Sequence, residues 1–197
     1  MASRRFSQAI SEGDGISVVV EVHDGASASA AEAQGAEALV VRSDVARVRG
    51  ATELPILWRS SGPIAEAARA GADACLVVVQ EYDEDGDQLE RRHAEALDLG
   101  LDCVVEVHDE EELELALERL DPEIFLLSRR EDADSGESAL DRALELLPDV
   151  PAGKLAVADV PVSGREQVDE LERAGVDAVI VGAGNVADLV GDPPPEV

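Results

Sequence analysis

Lysine is nearly missing. Of 16 basic residues only Lys154 is not arginine, and they face 44 Asp and Glu for a formal net charge of −28 over 197 residues. No basic stripe exists to neutralise phosphates, which excludes a nucleic-acid binder. Acid spread over an otherwise globular pattern, with arginine in place of lysine, points to a halophilic protein. In about 1 M salt the Debye length shrinks to about 3 Å, and self-repulsion becomes tolerable. An acidic surface built for a basic partner is the other reading. Aromatics are also scarce, at one Trp, one Tyr and two Phe, so a chain that is 45% hydrophobic must build its core from Val, Leu, Ile and Ala. No apolar run approaches the roughly 18 residues of a membrane span. The N-terminus lacks the apolar segment of a secretory signal, so the expected location is cytoplasmic. The only cysteines, Cys75 and Cys103, lie inside apolar runs and read as buried free thiols in a reducing compartment.

What is present repeats. Gly, a small residue, an acid, Ala and then a Val/Leu/Ile run recurs as GAEALVV from Gly35, GADACLVVV from Gly71 and GVDAVIVG from Gly175. Glycine there suits the left-handed residue after a helix. The apolar run after it suits a strand covered on both faces, as in a parallel sheet. Eight such runs occur, at 16–22, 37–42, 55–58, 73–79, 101–107, 123–127, 154–159 and 177–182. Helical stretches at 28–34, 62–70, 87–98, 109–119, 137–147 and 164–174 separate most of them. DVARVRG offers only a short turn of helix. In HDEEELELALERL, Asp109 reads as an N-cap with Glu112 its capping-box partner. Strand alternating with helix eight times predicts an α/β fold, a compact (β/α)8 TIM barrel forming one domain over 1–197. A short N-terminal segment (1–14) and a flexible tail (190–197) complete it.

The hexamer VVEVHD occurs at Val19–Asp24 and again at Val104–Asp109, 85 positions on. The same shift carries the second run (ALVVRS) onto the sixth (EIFLLS), so the two halves of the barrel look related. Residues i and i+2 of a strand share a face. Glu21 and His23 therefore point one way, as do Glu106 and His108. If the glutamates face the interior, the four side chains converge near the top of the barrel, where barrel active sites lie. Imidazole exchanges protons near neutral pH, so this set is a candidate acid–base site. A buried polar layer, with the Glu and His side chains paired to each other and to Arg59 or Arg129, is the structural alternative. Two His and two Glu are a possible Zn²⁺ set, but no motif spacing supports a metal, and no cofactor is expected. GAGNVADL mimics a dinucleotide fingerprint, Gly-x-Gly-x-x-Ala, without the second strand and ribose-binding acid that such a site needs. DEDGD (Asp83–Asp87) and EDADSGE (Glu131–Glu137) lack EF-hand spacing and read as solvated loops. His93, in a charged helix, is expected on the surface.

VVEVHDEEELELAL resembles the fifth-strand signature of indole-3-glycerol-phosphate synthase. FSQAI before the first strand, PILW at the third, GADACLVVV at the fourth and AGVDAVIVG at the eighth follow in that family's order. The resemblance implies a (β/α)8 lyase of tryptophan biosynthesis, in which a carboxylated, phosphorylated substrate closes a ring with loss of carbon dioxide and water. A general-acid Lys, a second Lys and Glu partners perform that step. Glu106 matches the family's fifth-strand Glu, and Arg129 its sixth-strand Arg. Elsewhere the residues differ. The first strand has His23 where the family has Lys. The third ends Trp58-Arg59-Ser60-Ser61 in place of Arg-Lys-Asp-Phe. Leu127 replaces an Asn, and Asp159-Val160-Pro161 replaces Glu-Ser-Gly. Gly182 is kept, with Ala183 and Gly184 after it in place of a serine.

The repeat and the resemblance together nominate Glu21, His23, Arg59, Glu106, His108 and Asp159 for chemistry. The resemblance nominates Arg129, Gly182, Ala183 and Gly184 for holding substrate or phosphate. Both lysines are replaced, and Lys154 opens the seventh strand at the opposite end of the barrel. Arg59 can hold a carboxylate, but it is a poor proton donor near neutrality. Pro161 has no N–H to offer a phosphate. Three functions remain open: a lyase of the family with altered catalytic groups, an inactive barrel that binds a ligand or partner, and a different enzyme on phosphorylated metabolites using the Glu/His set. The expected partner is a small phosphorylated metabolite. Oligomeric state is not legible.

Overall fold

In a computed structural model of the chain, the residues described are 4–13, 15–82, 87–129, 138–184 and 186–190. The acidic stretch 131–137, most of DEDGD and the tail beyond Val190 lie outside them. Eight parallel strands close into a barrel in chain order: β1 (Ser17–Val22), β2 (Ala38–Val41), β3 (Ile56–Trp58), β4 (Ala74–Val78), β5 (Asp102–Val107), β6 (Ile124–Ser128), β7 (Leu155–Asp159) and β8 (Ala178–Gly182). Pairing of β1 with β8 completes the ring. The helices are α1 (Arg5–Ser11), α2 (Gly25–Ala33), α3 (Val45–Arg49), α4 (Ile64–Ala70), α5 (Gln88–Asp98), α6 (Glu110–Arg119), α7 (Ala139–Leu146), α8 (Arg165–Ala174) and α9 (Val186–Leu189). The expected (β/α)8 architecture is the observed one, and no helix among the described residues is long and apolar enough to cross a membrane.

The recurring Gly-x-acid-Ala phrase has two tasks. Its glycine ends a helix in the left-handed region, with φ of +93° at Gly35, +98° at Gly71 and +102° at Gly175. Its acid then fastens one strand to the preceding one. Glu37 accepts from the Val18 amide at 3.1 Å, Asp73 from Ile56 at 2.9 Å and Asp177 from Ala156 at 2.7 Å. These carboxylates satisfy strand-opening N–H groups that would otherwise lack partners at the barrel's N-terminal end.

Alternation along each strand divides the apolar residues into two clusters. One lies between strands and helices. The other fills the barrel in layers, with Val19, Leu57, Val104 and Val157 from the odd strands and Val40, Leu76, Leu126 and Ile180 from the even ones. Small inward residues (Ala38, Ala74, Ala178) narrow the base. There α1 closes the floor with Phe6 and Ile10, both essentially fully buried. Nothing at Arg4 caps this helix. Its cap comes from across the barrel, where Asp102 accepts the Phe6 and Ser7 amides at 3.1 and 3.0 Å and the Ser7 hydroxyl at 3.2 Å. Burial pushes the Asp102 carboxyl above its ordinary pKa, against the pull of those bonds. The N-terminal segment is thus a structural plug.

The repeat is real in geometry, with one adjustment. β1 and β5 superpose at the 85-residue shift throughout, from Ser17 and Asp102 to Val22 and Val107. β2 and β6 do not. Ala38 and Val40 face inward on one, Ile124 and Leu126 on the other, an offset of 86. The register agrees: Val19 pairs with Ala38, whereas Val104 pairs with Ile124. A slip of one residue exchanges the faces of a strand, so the sequence alignment of ALVVRS with EIFLLS sets inward residues against outward ones. His93, expected at the surface, is partly buried on α5, and burial lowers its pKa. Cys75 and Cys103 are both free and buried, side by side across β4 and β5.

Candidate functional site

The layer at the C-terminal mouth is where alternation turns from apolar to charged. Two residues above Val19, Leu57, Val104 and Val157 stand Glu21, Arg59, Glu106 and Asp159, at the ends of the four odd strands: three carboxylates and one cation, which meets two of them. Arg59 continues the β3 ladder through its amide, which donates to the Val41 carbonyl at 2.9 Å. Its guanidinium crosses the mouth, donating to Glu106 Oε1 at 2.9 Å and to Asp159 Oδ2. The Ser128 hydroxyl of β6 also donates to Glu106 Oε1, at 2.6 Å. Side-chain exposure is 13% for Arg59 and 7% for Glu106. Withdrawing either partner would strand a buried charge, at a cost of about 3–5 kcal/mol. Glu21 is engaged separately, by the fork of Arg42 at 2.8 and 3.1 Å. That contact, opposed by burial, holds the Glu21 carboxyl below the ordinary carboxylate range, and it raises Arg42.

The two histidines of the repeat have different surroundings. His108 Nδ1 lies 2.8 Å from Glu112 Oε2, and the same oxygen accepts the His108 amide at 2.9 Å. Asp109 caps α6 through the Glu112 amide at 3.0 Å, as expected, while the Glu112 carboxylate reaches back to His108. The buried Glu112 therefore orients the imidazole. His108 Nε2 faces Glu106 Oε1 at 3.8 Å. His23 is exposed, and its amide donates to the Ser27 hydroxyl at 3.3 Å. Ser27 and Asp24 form the reciprocal capping box of α2.

Among the described residues, two cavities open at the mouth. The first, of about 520 Å³, lies over β2 to β6 and is walled by Arg42, Arg59, Arg92, Glu106, His108 and Arg129 among others. The second, of about 690 Å³, lies over β7, β8 and β1, with Glu21, His23, Asp159, Pro161, Gly182 and Asp188 on its walls. Arg42 and Arg59 line one, and their partners Glu21 and Asp159 line the other, so these ion pairs stand between the two. The four side chains of the repeated hexamer thus all reach the mouth but do not share one cavity: Glu106 and His108 open on the first, Glu21 and His23 on the second. Arg129 is exposed on the first, and Gly182, Ala183 and Gly184 are exposed at the rim of the second. A Cβ at Gly182 or Gly184 would meet nothing within 4 Å, so neither glycine is required by a close approach. Leu127 is buried in the outer layer between strands and helices. Lys154 sits at the opposite end, bonded to Asp121 at 2.6 Å.

Sequence reasoning passed over Ser128, Arg42, Glu112 as an orienting group, and Arg92. Arg42 was reachable, because it stands two beyond Val40 on the inward face. Arg92 is on a helix, and no strand periodicity marks it. Among the described residues, no three His, Cys, Asp or Glu side chains group as metal ligands.

A closed parallel barrel with its charged cluster at the C-terminal mouth defines the class of (β/α)8 barrels, and sequence narrows that class. A family model described as Indole-3-glycerol phosphate synthase matches residues 42–187. The chain belongs to that family. It is 32% identical over 176 residues to the indole-3-glycerol phosphate synthase of Geobacillus sp. (strain WCH70), covering 82% of this chain and 67% of that protein. It is 38% identical over 155 residues to that of Nocardioides sp. (strain ATCC BAA-499 / JS614), covering 77% and 57%. The chain therefore spans roughly three-fifths to two-thirds of these relatives' length. By fold alone it is similar to the N-acetylmannosamine-6-phosphate 2-epimerase of Clostridium perfringens, with TM-score 0.71, 13% identity and 87% of each chain covered.

Proposed function

We propose that this barrel binds a small phosphorylated, carboxylated metabolite of the kind its family acts on, and that it does not carry out the family's lysine-driven ring closure. One observation carries this reading. Arg59, at the position of a family lysine, is held by both Glu106 and Asp159. A guanidinium cannot deprotonate at accessible pH, so the group that spans the mouth holds charge without passing a proton. The acid excess of the chain supports a protein working in molar salt, so the test belongs there. In multimolar KCl the family substrate is expected to raise the melting temperature with no indole absorbance above buffer. Indole formation abolished by Arg59→Met would overturn the reading.

A second reading rests on the His108–Glu112 pair. An imidazole oriented by a buried carboxylate, with its other nitrogen toward Glu106, is an arrangement suited to general acid–base work. On that reading the chain is an enzyme on the same class of metabolite with His108 as its proton-transfer group. His108→Gln would then abolish turnover while leaving ligand binding within a few-fold. Unchanged turnover would remove it.

A further inference from the structure

We propose that the anionic end of the ligand is held over the β2 to β6 half of the mouth by Arg42, Arg92 and Arg129, across the barrel from the loops after β7 and β8. This rests on the metabolite-binding reading above and gives that ligand an orientation.

Charge divides the mouth. Among the described residues, the first cavity carries four arginines against Glu81 and Glu106, and Glu106 is already bonded to Arg59. The second carries Glu21, Asp159 and Asp188 with no arginine or lysine. In a chain of net charge −28 an approaching anion meets repulsion almost everywhere, and a walled cationic patch is what can draw it in. On the β7 side, Pro161 withholds the N–H that a glycine would offer.

Arg92 supplies the independent observation. It projects from α5 to the cavity wall, and its Nη2 donates to the Gly62 carbonyl at 3.1 Å, tying down the loop after β3. Its Nε is buried without a hydrogen-bond partner among the described residues. Buried donors in folded proteins are nearly always satisfied, so an unsatisfied Nε on a guanidinium that lines the cavity marks Arg92 as short of an acceptor. Arg42 adds a second open edge. Its Nε and Nη2 are engaged by Glu21, and its Nη1 has no partner among the described residues. Forked guanidinium groups suit the planar and tetrahedral oxyanions of carboxylates and phosphate esters.

The test is isothermal titration of the full chain with inorganic phosphate and, separately, malonate, at the lowest KCl that keeps it folded. The wild type is expected to bind at least one. Arg92→Gln and Arg42→Gln should each weaken that binding tenfold or more, and Arg92→Lys less than Arg92→Gln. Ser163→Asp, which adds a carboxylate at the rim of the second cavity, should leave it within twofold. Circular dichroism checks that each variant folds, and if Arg92→Gln does not, the exposed Arg42 carries the test. A tenfold loss in Ser163→Asp with Arg92→Gln unchanged would place the anion over β7 and β8. That overturns this inference and leaves the metabolite-binding reading intact. Should neither anion bind while the family substrate still raises the melting temperature equally in wild type and Arg92→Gln, the inference again falls alone. Should nothing bind, both fall.

Discussion

β1 and β5 carry the same six residues, VVEVHD, to the same end of one barrel, and their side chains meet different fates. Glu106 is buried and bonded to Arg59 and Ser128, while Glu21 is half-exposed and clamped by Arg42. His108 is fixed by Glu112, whereas His23 stands in solvent. The cause of the second contrast lies three residues past the N-cap. At that position α6 has Glu112 and α2 has Ser27. A glutamate is long enough to reach the imidazole from there, and a serine reaches only the His23 amide and the cap residue Asp24. Identical strands therefore become unlike through the helices that succeed them and the side chains that close over them.

The contrast is broken most forcefully at Arg59. Arg59→Ala leaves Glu106 and Asp159 without their shared cation and is expected to lower unfolding free energy by about 3–5 kcal/mol, read from denaturant titration. A loss below about 1 kcal/mol, the scale of an exposed pair, would mean the bridge is not the organising contact of the mouth. The floor offers the same comparison one level down, where Asp102 of β5 and Ser17 of β1 occupy equivalent positions. Asp102 caps α1, while the Ser17 hydroxyl meets the Ala9 carbonyl at a long 3.4 Å. Asp102→Ala should cost about 1–3 kcal/mol by leaving buried α1 amides unpaired, and Ser17→Ala about 1 kcal/mol or less. Equal losses would sink the idea that the Asp102 carboxylate is what caps the plug.

A smaller effect sharpens the comparison of the histidines. In wild type, nitrogen NMR should show His108 with a fixed ring tautomer, protonated at Nδ1 toward Glu112, and His23 averaging. Glu112→Ser should make His108 resemble His23, and Ser27→Glu should begin to fix His23. No change in either would show that the residue three past the cap does not govern the ring. The smallest effect is the pH response of the Glu21–Arg42 pair. Glu21 titrates below its ordinary value of 4.5 because Arg42 bonds its carboxylate. Its contribution is therefore complete above that value and lost as pH falls through the lower folded one. For so exposed a pair, Arg42→Gln should cost only a few tenths of a kcal/mol near neutrality. That difference should close as pH falls from above 4.5 through the lower folded value. A difference that grows toward acid would reverse the assignment.

Much of the fold was legible because its signals are local. A glycine forced into the left-handed region, an acid two residues on and a Val-rich run mark a helix end and a parallel strand without reference to anything distant. The 85-residue spacing set β1 on β5 for the same reason. The second strand pair shows the limit. ALVVRS and EIFLLS align by residue type at 85, but the barrel seats them at 86, because sheet register and not composition decides which face turns inward. The site was half legible. Alternation marks Glu21, Arg59, Glu106 and Asp159 as inward-facing at the mouth, yet nothing in it says that Arg59 will span β5 and β7 or that Ser128 will join them. Arg92 was out of reach, since a helix residue enters the mouth only through the packing of α5 and the loop at Gly62.

By itself the sequence determined the eight strands, most of the helices between them and which residue types stand at strand ends, because these come from backbone preferences and short-range periodicity; the family was legible through the resemblance of particular motifs. Closure of the ring decided the rest. It chose which charges face one another, put an arginine-rich cavity beside an acidic one, and separated two copies of one hexamer, because partners across a barrel are set by register and stagger that no local stretch of chain encodes.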